Sequence, residues 1–190
     1  MNTPKKEKQP NKDISMLQEL ILYILKFSQE QGIDNLSKFQ IMKLVYLIES
    51  EHRKYVGKPF IVQTKFQRDK NGPISKDIYH AIEPLKGKYI KVSETETEGY
   101  DYPRTCHRTI NMDKFTFSFT KEQKIFLNCV LDDYIKLPQK ELRKMVYNTE
   151  PMKKILKQEE KTHKKVHGDI DMSAIPLDKD VSQTIAKTSK

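Results

Sequence analysis

Cys106 and His107 are the first neighbours in this sequence that could do chemistry, a thiol beside an imidazole, as nucleophilic catalysis uses. Adjacent side chains seldom face each other in a strand or helix, so Cys106 reads instead as a surface or edge residue near Arg104 and Arg108. An enzymatic reading would have to bring His80 to the pair from elsewhere in the chain. Cys129 lies among apolar helix residues and reads as a small core side chain. His163 and His167 stand four apart, the spacing that puts two imidazoles on one helix face, but no cysteine or patterned carboxylate accompanies them, and no metal site is expected. Asp169 and Asp171 lack the further oxygens of a calcium loop. Asp132 and Asp133 read as a solvated helix edge. The six glycines are scattered, with no phosphate-cradling cluster, and neither GxSxG nor a convincing SxxK is present. The residues therefore point to a binding module without a cofactor rather than to an enzyme.

What would position a binding surface is a single modest domain. The chain has 190 residues, a charged fraction of 32% and a hydrophobic fraction of only 36%, which suits a soluble protein with a limited core. No apolar run is long enough to span a membrane and the start lacks an apolar leader block, so a cytoplasmic location without membrane contact is expected. The net charge is +9, spread as +2 over residues 1 to 13, +3 over residues 153 to 190 and +4 between. Such a charge invites nucleic acid. Only Arg53, Arg68, Arg104, Arg108 and Arg143 carry the planar fork that reads bases and clamps phosphates, however, which makes a nucleic-acid-binding regulator the second reading.

The expected elements are mostly helices. Residues 1 to 13 form a basic disordered arm. Leu17, Leu20, Ile21, Ile24, Leu25 and Phe27 recur at helical spacing, with Gly32 as a stop. Ser37 and Gln40 form a capping box, and Leu36 and Ile41 a hydrophobic staple, for a helix from Lys38 to about Tyr55. That helix has a core face of Ile41, Leu44, Val45 and Ile48 and leaves Lys43, Glu49, Glu51, Arg53 and Lys54 to solvent. Phe60 to Phe66, Tyr89 to Val92 and Phe115 to Phe119 read as strands, and Asn71-Gly72-Pro73 as a turn. A short helix covers Ile74 to Glu83. A further one follows the Thr120 and Gln123 capping box, with a core face of Ile125, Phe126, Leu127, Val130, Leu131, Tyr134 and Ile135. Two more carry Leu142, Met145 and Val146, and Met152, Ile155 and Leu156. The result is a mainly helical α+β domain, a compact helical body with a small β-hairpin or short antiparallel sheet, over residues 14 to 165, followed by a disordered tail over 166 to 190.

Leu36 to Tyr46, Gly57-Lys58-Pro59-Phe60, Asn71-Gly72-Pro73-Ile74-Ser75 with Tyr79, and Val146 to Pro151 together resemble the Panacea or SocA-like antitoxin domain family of phage-associated and toxin–antitoxin proteins, over roughly residues 14 to 156. The resemblance implies a bacterial or phage antitoxin that binds a cognate toxin, encoded by an adjacent gene, either masking it or presenting it to protease machinery. The motif residues Leu44, Tyr46, Gly72, Pro73, Tyr79, Tyr147 and Pro151 read as structural, turn-shaping or core-filling. Recognition is expected from polar groups on loops. These are Arg68, Asp69 and Asn71 beside the Gly-Pro turn, Arg104 and Arg108 in the excursion from Glu94, and Lys153 and Lys154 in the lysine-rich end.

Overall fold

The computed structural model describes residues 13–62, 64–95 and 104–178. The first twelve residues of the expected arm, and the tail beyond 178, lie outside the described residues. The first helix, α1 (Met16–Glu30), opens on a capping box in which the Ser15 hydroxyl accepts from the Gln18 N–H and the Gln18 side chain accepts from the Ser15 N–H. A two-residue strand, β1 (Leu36–Ser37), leads into α2 (Lys38–Val56), which carries the Ser37/Gln40 box and ends at Gly57 in the left-handed conformation, φ 75°.

The helix α2 is the centre of the molecule. Every residue from Ile41 to Ser50 is buried, because α1 and later helices pack on several of its sides at once. Lys43 and Glu49, expected in solvent, are only 1% and 2% exposed. A reading that assigns one dry face and one wet face assumes that the helix lies at the surface, and α2 does not.

A hairpin of β2 (Gln67–Asp69) and β3 (Gly72–Ile74) follows, with Lys70 and Asn71 at its tip. After it come α3 (Lys76–Ile82), a 3-10 turn at Glu83–Leu85, and the antiparallel pair β4 (Ile90–Thr95) and β5 (Arg104–Thr109). The chain continues through α4 (Lys121–Tyr134), capped by Thr120 and Gln123, then α5 (Gln139–Tyr147), α6 (Glu150–Thr162) and a last strand, β6 (Gly168–Asp169). The described strands form two antiparallel sheets, in the orders β1-β5-β4 and β3-β2-β6. The fold is α+β and mainly helical. Among the described residues no helix is long and apolar enough to cross a membrane.

Two expected strands are absent. At Phe60 and Ile61 the backbone N–H groups are taken by the buried Glu49 carboxylate, at 2.9 and 3.0 Å, while its other oxygen accepts from Arg53 Nε at 2.9 Å. With these donors satisfied and two consecutive side chains buried, the segment neither alternates nor pairs. From Phe115 to Phe119 the alternation is real, but it builds an aromatic cluster. The rings of Phe115 and Phe117 lie 5 Å apart to the nearest ångström, Tyr23 stands edge-on to Phe117 at 5.0 Å, and Ser118 bonds to Glu19 of α1 instead of to a strand. The strand in this region is β5, whose polar letters conceal that Cys106, His107 and Thr109 are buried.

The two cysteines exchange their expected places: Cys106 is buried and Cys129 exposed. Helix α4 docks through Leu127, Val130 and Leu131, which leaves Cys129 and its neighbour one turn back, Ile125, on the outer side. Of the segment expected as a disordered tail from 166, the described residues up to 178 include some that pack against the domain. Ile170 N donates to Phe66 O at 2.8 Å, and Ile170 and Met172 enter the core.

Candidate functional site

The charged residues that the fold brings together lie around the β2–β3 hairpin. Lys43 projects from α2 beneath it, and its Nζ donates to Pro73 O at 2.6 Å. The same ammonium stands 5.0 Å from the Phe39 ring centroid, with the Arg143 guanidinium of α5 at 5.7 Å from that ring. Burial, followed by repulsion from Arg143 and Arg68 and only partly offset by Asp69, pulls the Lys43 amine down to about 7. A lysine with one acceptor and two cationic neighbours is held near neutrality by its surroundings.

Arg68 is not the exposed loop residue expected of it. It sits in β2, buried, and bonds through Nε and Nη2 to the two Glu159 oxygens at 3.2 and 3.1 Å. Its guanidinium lies 5.5 Å from the Tyr147 ring centroid. Burial alone would raise the Glu159 carboxyl, but the bonds from Arg68 and from the Val166 N–H hold it below the usual carboxylate range. One pair thus ties the hairpin to α6 and to the chain that leads into β6.

Below this pair, Tyr46 is fully buried and meets Thr149 Oγ1 at 2.9 Å, while the Thr149 hydroxyl donates to Val146 O at 2.7 Å. With the threonine proton so engaged, Tyr46 is the donor, and burial pushes its phenol up to about 12. The motif residues therefore converge. Leu44, Tyr46, Gly72, Pro73 and Pro151 are buried around the hairpin and the α5–α6 junction, and Tyr147 is half-buried there. Tyr79 departs from the expected core role: it is 38% exposed, with Lys38 Nζ 5.6 Å from its ring centroid.

Gly72 is enclosed on more than one side. Its φ is +94°, and a Cβ there would lie 3.4 Å from Lys43 Nζ and 3.8 Å from Tyr147 Cζ. Gly72→Ala is expected to destabilise the domain by about 1–2 kcal/mol, chiefly through the left-handed backbone, with the hairpin amides losing hydrogen-exchange protection most. Equal unfolding midpoints for the two proteins in urea would contradict this.

The other expected recognition residues are scattered. Arg104 starts β5 and bonds to the Gln40 side chain at the α2 cap, so it holds structure. Arg108 is half-buried in β5 opposite Lys91. Asn71 is exposed and Asp69 partly so, and Lys153 and Lys154 are exposed on the first turns of α6, Lys153 paired with Glu150 at 3.1 Å. His163 caps α6 in the left-handed conformation, φ 54°, so His163 and His167 do not share a helix face. Among the described residues no group of three or more His, Cys, Asp or Glu is placed to hold a metal ion.

Lys43, Phe39, Arg143 and Glu159 were missed as partners in this cluster. For Lys43 a signal existed. On a helix its neighbours three and four residues away are Phe39, Gln40, Tyr46 and Leu47, mostly aromatic or apolar, and a lone charge on such a face is a buried charge.

A family model described as Antitoxin SocA-like, Panacea domain, matches residues 41–153, from the first turn of α2 to the first turn of α6. A comparison with curated proteins finds no match.

Proposed function

The chain belongs to the SocA-like antitoxin family with a Panacea domain, and from that premise we propose that it neutralises a toxin protein by direct binding, without catalysis of its own. The family match is the observation that carries this reading. The hairpin cluster supports it, because its ionisable groups serve as contacts within the fold: the Lys43 amine donates to a carbonyl and Arg68 is ion-paired. The recognition residues we assign are exposed groups on three elements, Lys70 and Asn71 at the hairpin tip, Arg143 on α5, and Lys153 and Lys154 on α6. Their positive charge suits an acidic patch on the toxin and acts chiefly on encounter rate and specificity.

The test is co-expression with the product of the neighbouring gene. Rescue of growth with a co-purifying complex is the expected result. Rescue accompanied by loss of the toxin protein would instead make the chain an adaptor for proteolysis. No rescue, together with duplex DNA binding that weakens steeply as salt rises, would replace the antitoxin reading with that of a nucleic-acid-binding regulator. In the complex, the triple variant Asn71→Ala, Lys153→Ala, Lys154→Ala is expected to slow association about tenfold while leaving the unfolding midpoint in place, since all three side chains are exposed.

A further inference from the structure

A cleft of about 570 Å³ opens between the start of α1, the chain at 61–64 and α3. Its volume falls within the range of small-ligand sites. None of the recognition residues named above lines it. The walls are aliphatic: Leu17 and Ile61 are buried behind, while Met16 at 38% and Val62 at 82% exposure form the rim. Val62 follows a buried Ile61 and contributes almost nothing to the core, so an apolar side chain this open is explained by what could cover it.

The polar end of the cleft carries acceptors. Asp77 Oδ2 accepts from Lys65 N at 2.9 Å, and the second carboxylate oxygen has no protein donor among the described residues. Thr64 Oγ1 is buried and has no hydrogen-bond partner among the described residues. Gln18 fixes the geometry, because its side-chain amide donates to Ala81 O at 3.3 Å and its oxygen is committed to the Ser15 cap, which locks α1 against α3. The cleft is thus preformed, with aliphatic walls and a polar end that carries the Asp77 carboxylate, His80 also being in the lining, on a chain of net charge +9.

We propose that this cleft receives a lysine or arginine side chain presented by a partner protein, the aliphatic stem lying along Met16 and Val62 and the cation reaching the Asp77 carboxylate. An acidic side chain would be repelled by Asp77. A purely apolar one would bury the free carboxylate oxygen without a donor. Long cationic side chains meet both demands, since their stems cover apolar surface while the head keeps its polar contacts. That the partner is a toxin rests on the function proposed above; the chemistry of the cleft does not.

The test is an amide-resolved NMR titration of the full ¹⁵N-labelled chain with acetyl-Gly-Lys-Gly-amide and with its norleucine counterpart, which lacks the charge. The lysine peptide is expected to shift amides of residues 15–18, 61–64 and 77–81 saturably, and the norleucine peptide to bind about tenfold more weakly. Asp77→Asn, which keeps an acceptor for Lys65 N, should reduce the lysine peptide to the norleucine level. Val62→Ser, an exposed change that leaves the fold intact, should weaken both. Shifts absent from the cleft, or equal affinity for the two peptides, would overturn the proposal whether or not the chain rescues growth. Conversely, a positive titration together with failed rescue would leave the cleft assigned and the antitoxin reading refuted.

Discussion

Lys43→Met is expected to remove a steep pH dependence from the stability of this domain. The unfolded chain keeps its proton on Lys43 up to the ordinary value of 10.5, whereas the folded chain gives it up near 7. Between those values the unfolded state binds more protons, so the unfolding free energy rises with pH. For the wild-type chain that rise is about 3–4 kcal/mol from pH 7 to pH 10. Below pH 7 both states are protonated and the contribution is flat, at its least favourable. Methionine keeps the length of the stem and removes the charge. It also leaves Pro73 O without its donor, a loss of roughly 1–3 kcal/mol at every pH. The readout is therefore the slope and not the height. Urea unfolding at pH 7, 8, 9 and 10 should show a climbing curve for the wild-type chain and a much flatter one for the variant. The series stops at pH 10 because Tyr46 and Tyr134, both raised by burial, lose stability above the ordinary tyrosine value. Parallel curves would show that Lys43 stays protonated beneath the hairpin.

The second large effect concerns Arg68 and Glu159, whose side chains are 6% and 14% exposed. Glu159→Leu alone leaves the buried Arg68 guanidinium without its carboxylate, with only the Asp69 carbonyl as acceptor, and takes the acceptor from Val166 N, so a loss of about 3–5 kcal/mol is expected in denaturant unfolding. The double variant Arg68→Met, Glu159→Leu should recover most of that loss, because an apolar pair of similar bulk carries no desolvation penalty. Non-recovery in the double variant would mean that the cost lies in packing around α6 and not in the orphaned charge. It follows that Arg68→Ala, an obvious choice for testing recognition at the Gly-Pro turn, would report on the fold before it reported on a partner.

Local signals carried most of the helical architecture. The Ser37/Gln40 and Thr120/Gln123 boxes start α2 and α4 as read from spacing alone, and α2 ends at Val56, one residue beyond the expected Tyr55. Capping is decided within four residues, so a sequence displays it openly. What was hidden depends on residues far apart in the chain. Phe60 and Ile61 fail to form a strand because Glu49, 11 and 12 residues upstream of them, satisfies their N–H groups. Arg68 is buried because Glu159 meets it from 91 residues away. β5 is a strand because Leu36 and Val92 flank His107 on both sides, although its own letters are polar. The candidate site was half legible for the same reason: its turn and motif blocks were visible, while Lys43, Glu159 and the cleft at Asp77 arise only from packing. The aliphatic walls of that cleft come from segments that share no periodicity.

The strand order β3-β2-β6 also sets a timetable. The hairpin is made first, and the carboxylate that pairs with Arg68 follows 91 residues later, with the third strand beyond it. During synthesis, at about 5–20 residues per second, the 91 residues between Arg68 and Glu159 take roughly 5–20 s to appear. Throughout that interval the nascent hairpin carries an arginine without its carboxylate and an open strand edge, and both are closed only once α6 and β6 have been made.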